Sequence, residues 1–320
     1  MLNELRFVMG AVAKKDFLPA LTHFVIENGT VRGYNGTIAL CSPIPFDIAC
    51  KPKAEPLVRA IANCTDTVSM ALTPAGRLSI KSGSFKAFID CVDGETAHAE
   101  PEGERLELDG ASMLAALKAV QPFIGDDASR VWTNGVLLRG QSAFATNNVS
   151  LVEFWIGCTF PVTINLPRAA VKEIVRINEA PTHAQLADNS FTLHYENGRW
   201  IRSQLLPTDW PDLSKILNTE APVSMKDLDK RLFEGLEVLR PFVDKMGRVF
   251  FENGSMVTHQ GQDEGASFAL EDFQVDGVYN IEILRLLDGV ATQIDWSLYP
   301  RPCLFQGERL RGALIGMRKT

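Results

Sequence analysis

The side chains that could bind a metal, attack a carbonyl or move a proton are six cysteines, five histidines and 39 carboxylates in 320 residues. Cys41, Cys50, Cys64, Cys91, Cys158 and Cys303 contain no CxxC pair. Their spacing matches no zinc or redox signature, so they read as buried or semi-buried thiols of a reducing cytosol. His23, His98, His183, His194 and His259 include no i,i+4 pair and read as strand or loop residues. There is no GxxxxGK[ST] loop, no GxGxxG after a strand and no HExxH. The stretch "GQSAF" lacks the second glycine of a nucleophile elbow. Carboxylates are scattered through turns, with no compact DxD pair for Mg²⁺, and Asp126-Asp127 reads as a polar turn. The sequence predicts no enzyme, no metal and no cofactor.

What the chain does offer is charge, and its placement matters more than its sum. A formal charge of -7 argues against a simple basic DNA-binding domain unless the positive charge is segregated. Apolar periodicity predicts helices over 3–15, 54–63, 111–121, 167–177, 225–240 and 280–288. These hold 13 basic and nine acidic residues, against 19 and 30 elsewhere. The helices are therefore cationic in an otherwise acidic chain. In the fourth, Arg168, Lys172 and Arg176 follow i, i+4, i+8 along one face, while Ala170, Val171, Ile174 and Val175 populate the other. Such a helix can lie on a sheet and present a basic stripe to a polyanion.

The elements that carry this charge repeat. "ENGTVRGYNG" (27–36), "TNGVLLRG" (133–140) and "ENGSMVTHQG" (252–261) each read as an Asn-Gly turn followed by a strand. Their turn glycines, at 29, 135 and 254, are 106 and 119 residues apart, which is domain spacing. Each turn follows a helix and precedes strands, a second helix and more strands. A chain of this length suggests two or three domains. The boundaries predicted are 1–103, 104–217 and 218–320, with linkers at 93–104 and 207–222 that few contacts should cross. No charged-then-apolar leader opens the sequence, and no apolar run approaches the ~20 residues needed to span a bilayer. A cytoplasmic protein with no membrane partner is expected.

The sequence resembles the bacterial DNA polymerase III β subunit, the sliding clamp, in a short, divergent form such as phages encode. The likeness lies in "FLPALTHFVIENGTVRGYNGTIAL", "FATNNVSLVEFWI", "NLPRAAVKEIVRI", "WIRSQLLPTDWPDLSKIL" and the closing "GALIGMRKT". It implies an α+β fold of three repeated clamp-type domains, each of two helices packed on antiparallel sheets, that pairs with a second copy into a homodimer ring. It implies a processivity factor: double-stranded DNA threads the ring, and a DNA polymerase and clamp loader dock by short linear peptides. The DNA-binding residues implied are Lys14, Lys15, Arg59, Lys118, Arg168, Lys172, Arg176 and Arg285. The peptide groove implied comprises Thr146, Asn147, Asn148, Val149, Ser150 and Leu151 with Ile315, Gly316, Met317 and Arg318.

This chain departs from the family pattern in several places. The family's Thr-Asp-Gly-x-Arg-Leu reads Thr146-Asn147-Asn148-Val149-Ser150-Leu151, which loses the arginine, and the proline of the C-terminal motif is Gly316. The family's first strand has no counterpart ahead of the first helix. A clamp-fold docking protein that does not encircle DNA is the alternative reading.

Overall fold

The computed structural model describes all residues except 16–17, 95, 97–98, 219–223, 260–263, 271–272, 274 and 320. His98, parts of both predicted linkers, and Gln260 and Gly261 of the third turn stretch lie outside the described residues.

Among the described residues a helix, strands, a second helix and three more strands follow one another three times, the second and third passes adding a leading strand and a fourth strand before the second helix. The first pass is α1 (Leu2–Val8), β1 (Val25–Glu27), β2 (Thr30–Tyr34), β3 (Ile38–Pro43), α2 (Ala54–Ala62), β4 (Ser69–Leu72), β5 (Leu78–Ser82) and β6 (Phe85–Ile89). The second is β7 (Glu104–Leu106), α3 (Gly110–Val120), β8 (Gly135–Arg139), β9 (Ser142–Thr146), β10 (Ser150–Trp155), β11 (Ile164–Pro167), α4 (Arg168–Ile177), β12 (His183–Ala187), β13 (Ser190–His194) and β14 (Trp200–Gln204). A short helix, α5 (Ser214–Leu217), leads to the third: β15 (Lys226–Asp227), α6 (Lys230–Leu239), β16 (Arg248–Glu252), β17 (Ser255–Val257), β18 (Ser267–Ala269), β19 (Gly277–Asn280), α7 (Ile281–Arg285), β20 (Gln293–Ile294), β21 (Cys303–Gln306) and β22 (Leu310–Leu314).

Two of the three Asn-Gly hairpins form as expected. Asn28 and Gly29 (φ 51° and 66°) join β1 to β2, and Asn253 and Gly254 (φ 49° and 72°) join β16 to β17. Positive φ at both central residues gives the turn a twist that matches its strands. The middle one does not form. Asn134 has φ −82° and closes the 3-10 turn Val131–Thr133, because its side chain exchanges hydrogen bonds with the Asp127 backbone (2.7 and 3.0 Å). The hairpin of that pass is instead β8–β9, turning at Gly140 (φ 61°). Asn28, Gly140 and Asn253 are 112 and 113 residues apart, a more even repeat than the dipeptide alone suggests.

Helix ends also shift. After α1 and a 3-10 turn over Met9–Ala11, Val12 is extended and the Ala13 amide bonds the Leu21 carbonyl, so Lys14 and Lys15 lie beyond the helix. The predicted helix at 225 begins at Lys230. Asp229 caps it by accepting the Arg231 amide (2.9 Å), and Lys226–Asp227 pair with Gln293–Ile294 in a sheet.

The chain packs into two compact units, Met1–Leu114 with Leu166–Leu206, and Ala115–Asn165 with Pro207–Thr320. The reason is sheet continuity between passes. In the first unit β1-β2-β3 of one pass joins β14-β13-β12-β7 of the next, through Trp200↔Cys41 to Ser203↔Ile38. In the second, β11-β8-β9-β10 joins β22-β21-β20-β15, through Ser150↔Leu314 to Phe154↔Leu310. The remaining sheets, β4-β5-β6 in the first unit and β18-β17-β16-β19 in the second, stay within one pass.

The predicted linkers are less bare than their composition suggests. In the first, Glu100 pairs with Arg32 (2.6 Å), and Glu102 binds Arg202 and the Ser190 hydroxyl. In the second, Trp210, Leu213 and Leu217 are buried with Leu137, Phe144 and Leu151. All three side chains find the sheet that carries Leu137, Phe144 and Leu151.

His183 and His194 stand opposite each other on β12 and β13 with rings stacked 4.4 Å apart. Burial, then His183 and Arg105, lower His194 from 6.5 to about 4; burial and Arg105 also lower His183. Between pH 6.5 and about 4 the unfolded chain binds more protons than the fold. The stabilisation is complete above pH 6.5 and is lost as pH falls through that window. Thermal melts of wild type and H194Q at pH 7 and 5 test this. The wild type should lose more Tm on acidification; an equal drop in both would remove His194 as the cause.

Candidate functional site

An apolar groove of about 160 Å³ opens in the second unit. The end of β9 and the start of β10 give it Thr146, Ser150 and Leu151, and the turn between them gives Asn148 and Val149. Ala313 and Ile315 come from β22 and the residues after it. Leu213 and Ile216 come from the α5 segment, with Trp132 and Pro302 closing the sides.

The turn is held by its own side chains. Asn147 Oδ1 accepts the amides of Val149 (3.1 Å) and Ser150 (2.7 Å) and the Ser150 hydroxyl (2.9 Å). Asn148 sits at φ 69°, where asparagine replaces the more usual glycine at modest cost. Its carboxamide accepts from Arg130 (2.9 Å) and donates to Asp127 (3.2 Å). Hydrogen bonds from Ser129 hold the Asp127 carboxyl below its usual range, so it stays an acceptor. The Ile315 amide donates to the Val149 carbonyl (2.9 Å), which fixes one wall against the other.

Beneath lies the cluster of Leu137, Phe144, Leu151, Trp210, Leu213 and Leu217, with Trp132 packed edge-on against Trp210 at 4.9 Å. Asn165, fully buried, donates to the carbonyls of Trp132 (3.0 Å) and Pro207 (2.9 Å), so one amide pins both loops that flank the groove.

Among the described residues no charged side chain lines the groove, while Val149, Ile216 and Ile315 remain 37–45% exposed at its mouth. It is smaller than cavities that hold whole cofactors. Its size and lining suit a large apolar side chain. Six of the ten residues expected from the sequence line it. Asn147 braces the turn. Met317 pairs with Val278 and packs on Phe250, Val257 and Val278. Gly316 lies against the Tyr299 ring, which occupies the space a Cβ would need. Arg318 is exposed beyond it.

The eight cations expected to face DNA differ in their surroundings. Arg168, Lys172 and Arg176 share the exposed face of α4, whose Ala170, Val171 and Ile174 are buried. Arg176, however, pairs with the buried Glu173 and donates to the Phe7 carbonyl (2.9 Å). Arg285 is clamped by Glu237 (2.5 Å) and Glu282 (2.6 Å). Arg59 pairs with Glu55 (2.7 Å), both largely exposed, which contributes little. Lys14, Lys15, Lys118 and Lys172 are exposed, with no carboxylate in ion-pair range among the described residues. Among those residues no group of three or more His, Cys, Asp or Glu could hold a metal, and no helix is long and apolar enough to cross a membrane.

Solved structures similar to this chain agree along nearly its whole length. Caulobacter crescentus pol III beta superposes with a TM-score of 0.84 at 15% identity, covering 99% of this chain and 97% of that one. The DNA polymerase sliding clamp of Bacillus subtilis gives 0.82 at 13% identity, covering 100% and 97%. The DNA polymerase III subunit beta of Pseudomonas aeruginosa gives 0.80 at 16%, covering 99% and 97%. The chain has the β sliding-clamp fold. No protein-family model matches the sequence, and no curated protein does at the level of sequence.

Within the sliding-clamp fold, the groove residues that sequence reasoning missed are Trp132, Leu213, Ile216, Pro302 and Ala313. A signal existed for two. Trp210, Leu213, Ile216 and Leu217 recur at helical spacing inside a stretch otherwise rich in turn formers. Trp132 and Pro302 carried none, because both sit in loops that tertiary contacts bring to the groove.

Proposed function

We propose that this chain is a DNA sliding clamp: a homodimeric ring that encircles duplex DNA and tethers a replicative polymerase through the groove, without doing chemistry itself. The division into domains 1–103, 104–217 and 218–320 is part of this reading. The observation that carries it is the pairing rule between passes. The third strand of one pass's first sheet pairs with the last strand of the next pass, β3 with β14 and β10 with β22. Applied once more, the rule leaves β18 and β6, each at the edge of its sheet. A second copy satisfies both, β18 on β6 and β6 on β18, and the chain of sheets closes. An unpaired strand edge is otherwise a liability.

A closed ring need not trade affinity for mobility, since escape requires opening an interface rather than breaking phosphate contacts. Contacts by Lys14, Lys15, Lys118, Lys172 and Arg168 are then few. For about three phosphates neutralised, affinity falls on the order of tens-fold between 50 and 200 mM salt. The test is retention on circular primed DNA followed by linearisation. Threading predicts release when the circle is cut; binding indifferent to cutting refutes it.

One observation favours a second reading, a docking protein of clamp fold that does not encircle DNA. Arg59, Arg176 and Arg285 are already paired with carboxylates, which thins the positive charge available to DNA. That reading predicts a stable monomer of 35.3 kDa.

A further inference from the structure

We propose that the solvent face of β4-β5-β6 is a binding site for single-stranded nucleic acid, separate from the helices assigned to duplex DNA and from the apolar groove. From Thr67 to Ile89 the chain carries Arg77, Lys81 and Lys86 and no Asp or Glu, in a protein of formal charge -7; Asp66 and Asp90 mark the ends of the stretch. Side chains alternate across a strand, so the sheet sorts these residues by parity. Leu78, Ile80 and Ile89 are buried on one side. On the other, Ser69, Lys81 and Lys86 form one row across the strands, and Ser79 stands opposite Phe88 in the next. Arg77, just ahead of β5, reaches the same ring.

Two features of this face point to a ligand. Lys81 and Lys86 are direct cross-strand partners, and like charges so placed destabilise a sheet. Both lysines and Arg77 are exposed, and among the described residues none has a carboxylate in ion-pair range. An anion from outside the chain would relieve that repulsion. The second feature is Phe88, 44% exposed, with the Arg77 guanidinium 5.1 Å and the Lys86 ammonium 4.7 Å from its ring centroid. A single strand suits both features, since its phosphates meet the cations while an unpaired base stacks on the ring. A duplex keeps its bases stacked inside, and an acidic peptide brings carboxylates without a base. Phe88 stands on the face of β6 and not in its hydrogen-bonding edge, so a copy paired along that edge leaves the ring open to a base.

The full-length protein is titrated into fluorescein-labelled oligothymidylate and read by fluorescence anisotropy. The wild type should bind, and with about three phosphates neutralised its affinity should fall on the order of twenty-fold between 50 and 200 mM salt. F88A should weaken binding roughly fivefold or more through lost stacking. K81E should weaken it about tenfold or more and flatten the salt dependence. The same variant should melt at or above the wild-type temperature, because it turns a like-charge cross-strand pair into an opposite one. Lost binding is thereby separated from lost folding. Release from cut circular DNA should be unchanged in both variants, so a failure here leaves the threading reading standing. The proposal is overturned if the wild type does not bind oligothymidylate at low salt, or if both variants bind it undiminished. It is also overturned if a poly-glutamate peptide binds as tightly and F88A has no effect, which would make the face a site for an acidic protein partner.

Discussion

If the proposed ring forms, a V238D/F242D variant is expected to elute as a monomer of 35.3 kDa rather than at twice that mass, and to lose retention on circular DNA. The expectation follows from what α6 presents. Val238 is 56% exposed, and Phe242 and Met246 beyond the helix are 55% and 60% exposed. Helix α6 packs against β18: Gly235 lies under the Phe268 ring, and Arg231 donates to the Ala269 carbonyl (3.3 Å). Arg231, Gly235 and Val238 recur at helical spacing, so Val238 lies on the side of α6 that meets β18, the strand whose edge the pairing rule assigns to a second copy. The complementary edge, β6, carries Phe88 at 44% exposure. Isolated exposed apolar residues are ordinary, but a group of them beside an open edge marks an interface.

Two carboxylates in place of apolar side chains would lose that burial and be desolvated in the contact, at a cost of several kcal/mol. At about 1.4 kcal/mol per tenfold, dimerisation weakens by roughly 100-fold or more. The control is stability. Both side chains face solvent in the single chain, so the monomer should unfold within about 0.5 kcal/mol of wild type. Light scattering alongside size exclusion reads the mass. A variant that remains dimeric would remove this face from the ring.

The second large effect is at the groove. I216D and I315D should each abolish most binding of a polymerase-derived peptide bearing leucine or phenylalanine anchors, with little change in melting. The exposed side chains of Ile216 and Ile315 stand at the mouth of an apolar groove, so a carboxylate there meets the incoming apolar group and would have to be desolvated. Burying one such anchor is worth roughly 1.5–3 kcal/mol, so the loss should be on the order of ten- to hundred-fold from a roughly micromolar starting affinity. The I315D backbone still donates to Val149, since that bond uses the amide alone. Fluorescence anisotropy of a labelled peptide measures the change. Undiminished binding by both variants would place the peptide elsewhere, and the dimer test above is independent of that outcome.

How much of the groove was legible depends on sequence distance. The turn Thr146 to Leu151 was reached through the family resemblance, and Asn147 holds it by bonds to its near neighbours Val149 and Ser150. Met317 could not be placed from sequence: its contact with Val278 is long-range, and it turns the side chain onto Phe250 and Val257 rather than into the groove. The charge count was equally blind to partners. It scored Arg176 and Arg285 as available cations, whereas Glu173, Glu237 and Glu282 neutralise them.

By itself the sequence determined what near neighbours settle. Asn-Gly at 28–29 and at 253–254 makes hairpins because those two residue types tolerate positive φ together. The amphipathic face of α4 is fixed by side chains three and four apart. The tertiary structure decided whatever needs a partner far along the chain. It turned the Asn134-Gly135 pair into a helix end through Asp127, and it ran sheets across the passes so that three repeats pack as two units. The physical reason is one and the same: backbone conformation is chosen by short-range sterics and hydrogen bonds, while sheet edges and ion pairs are chosen by which distant surface arrives.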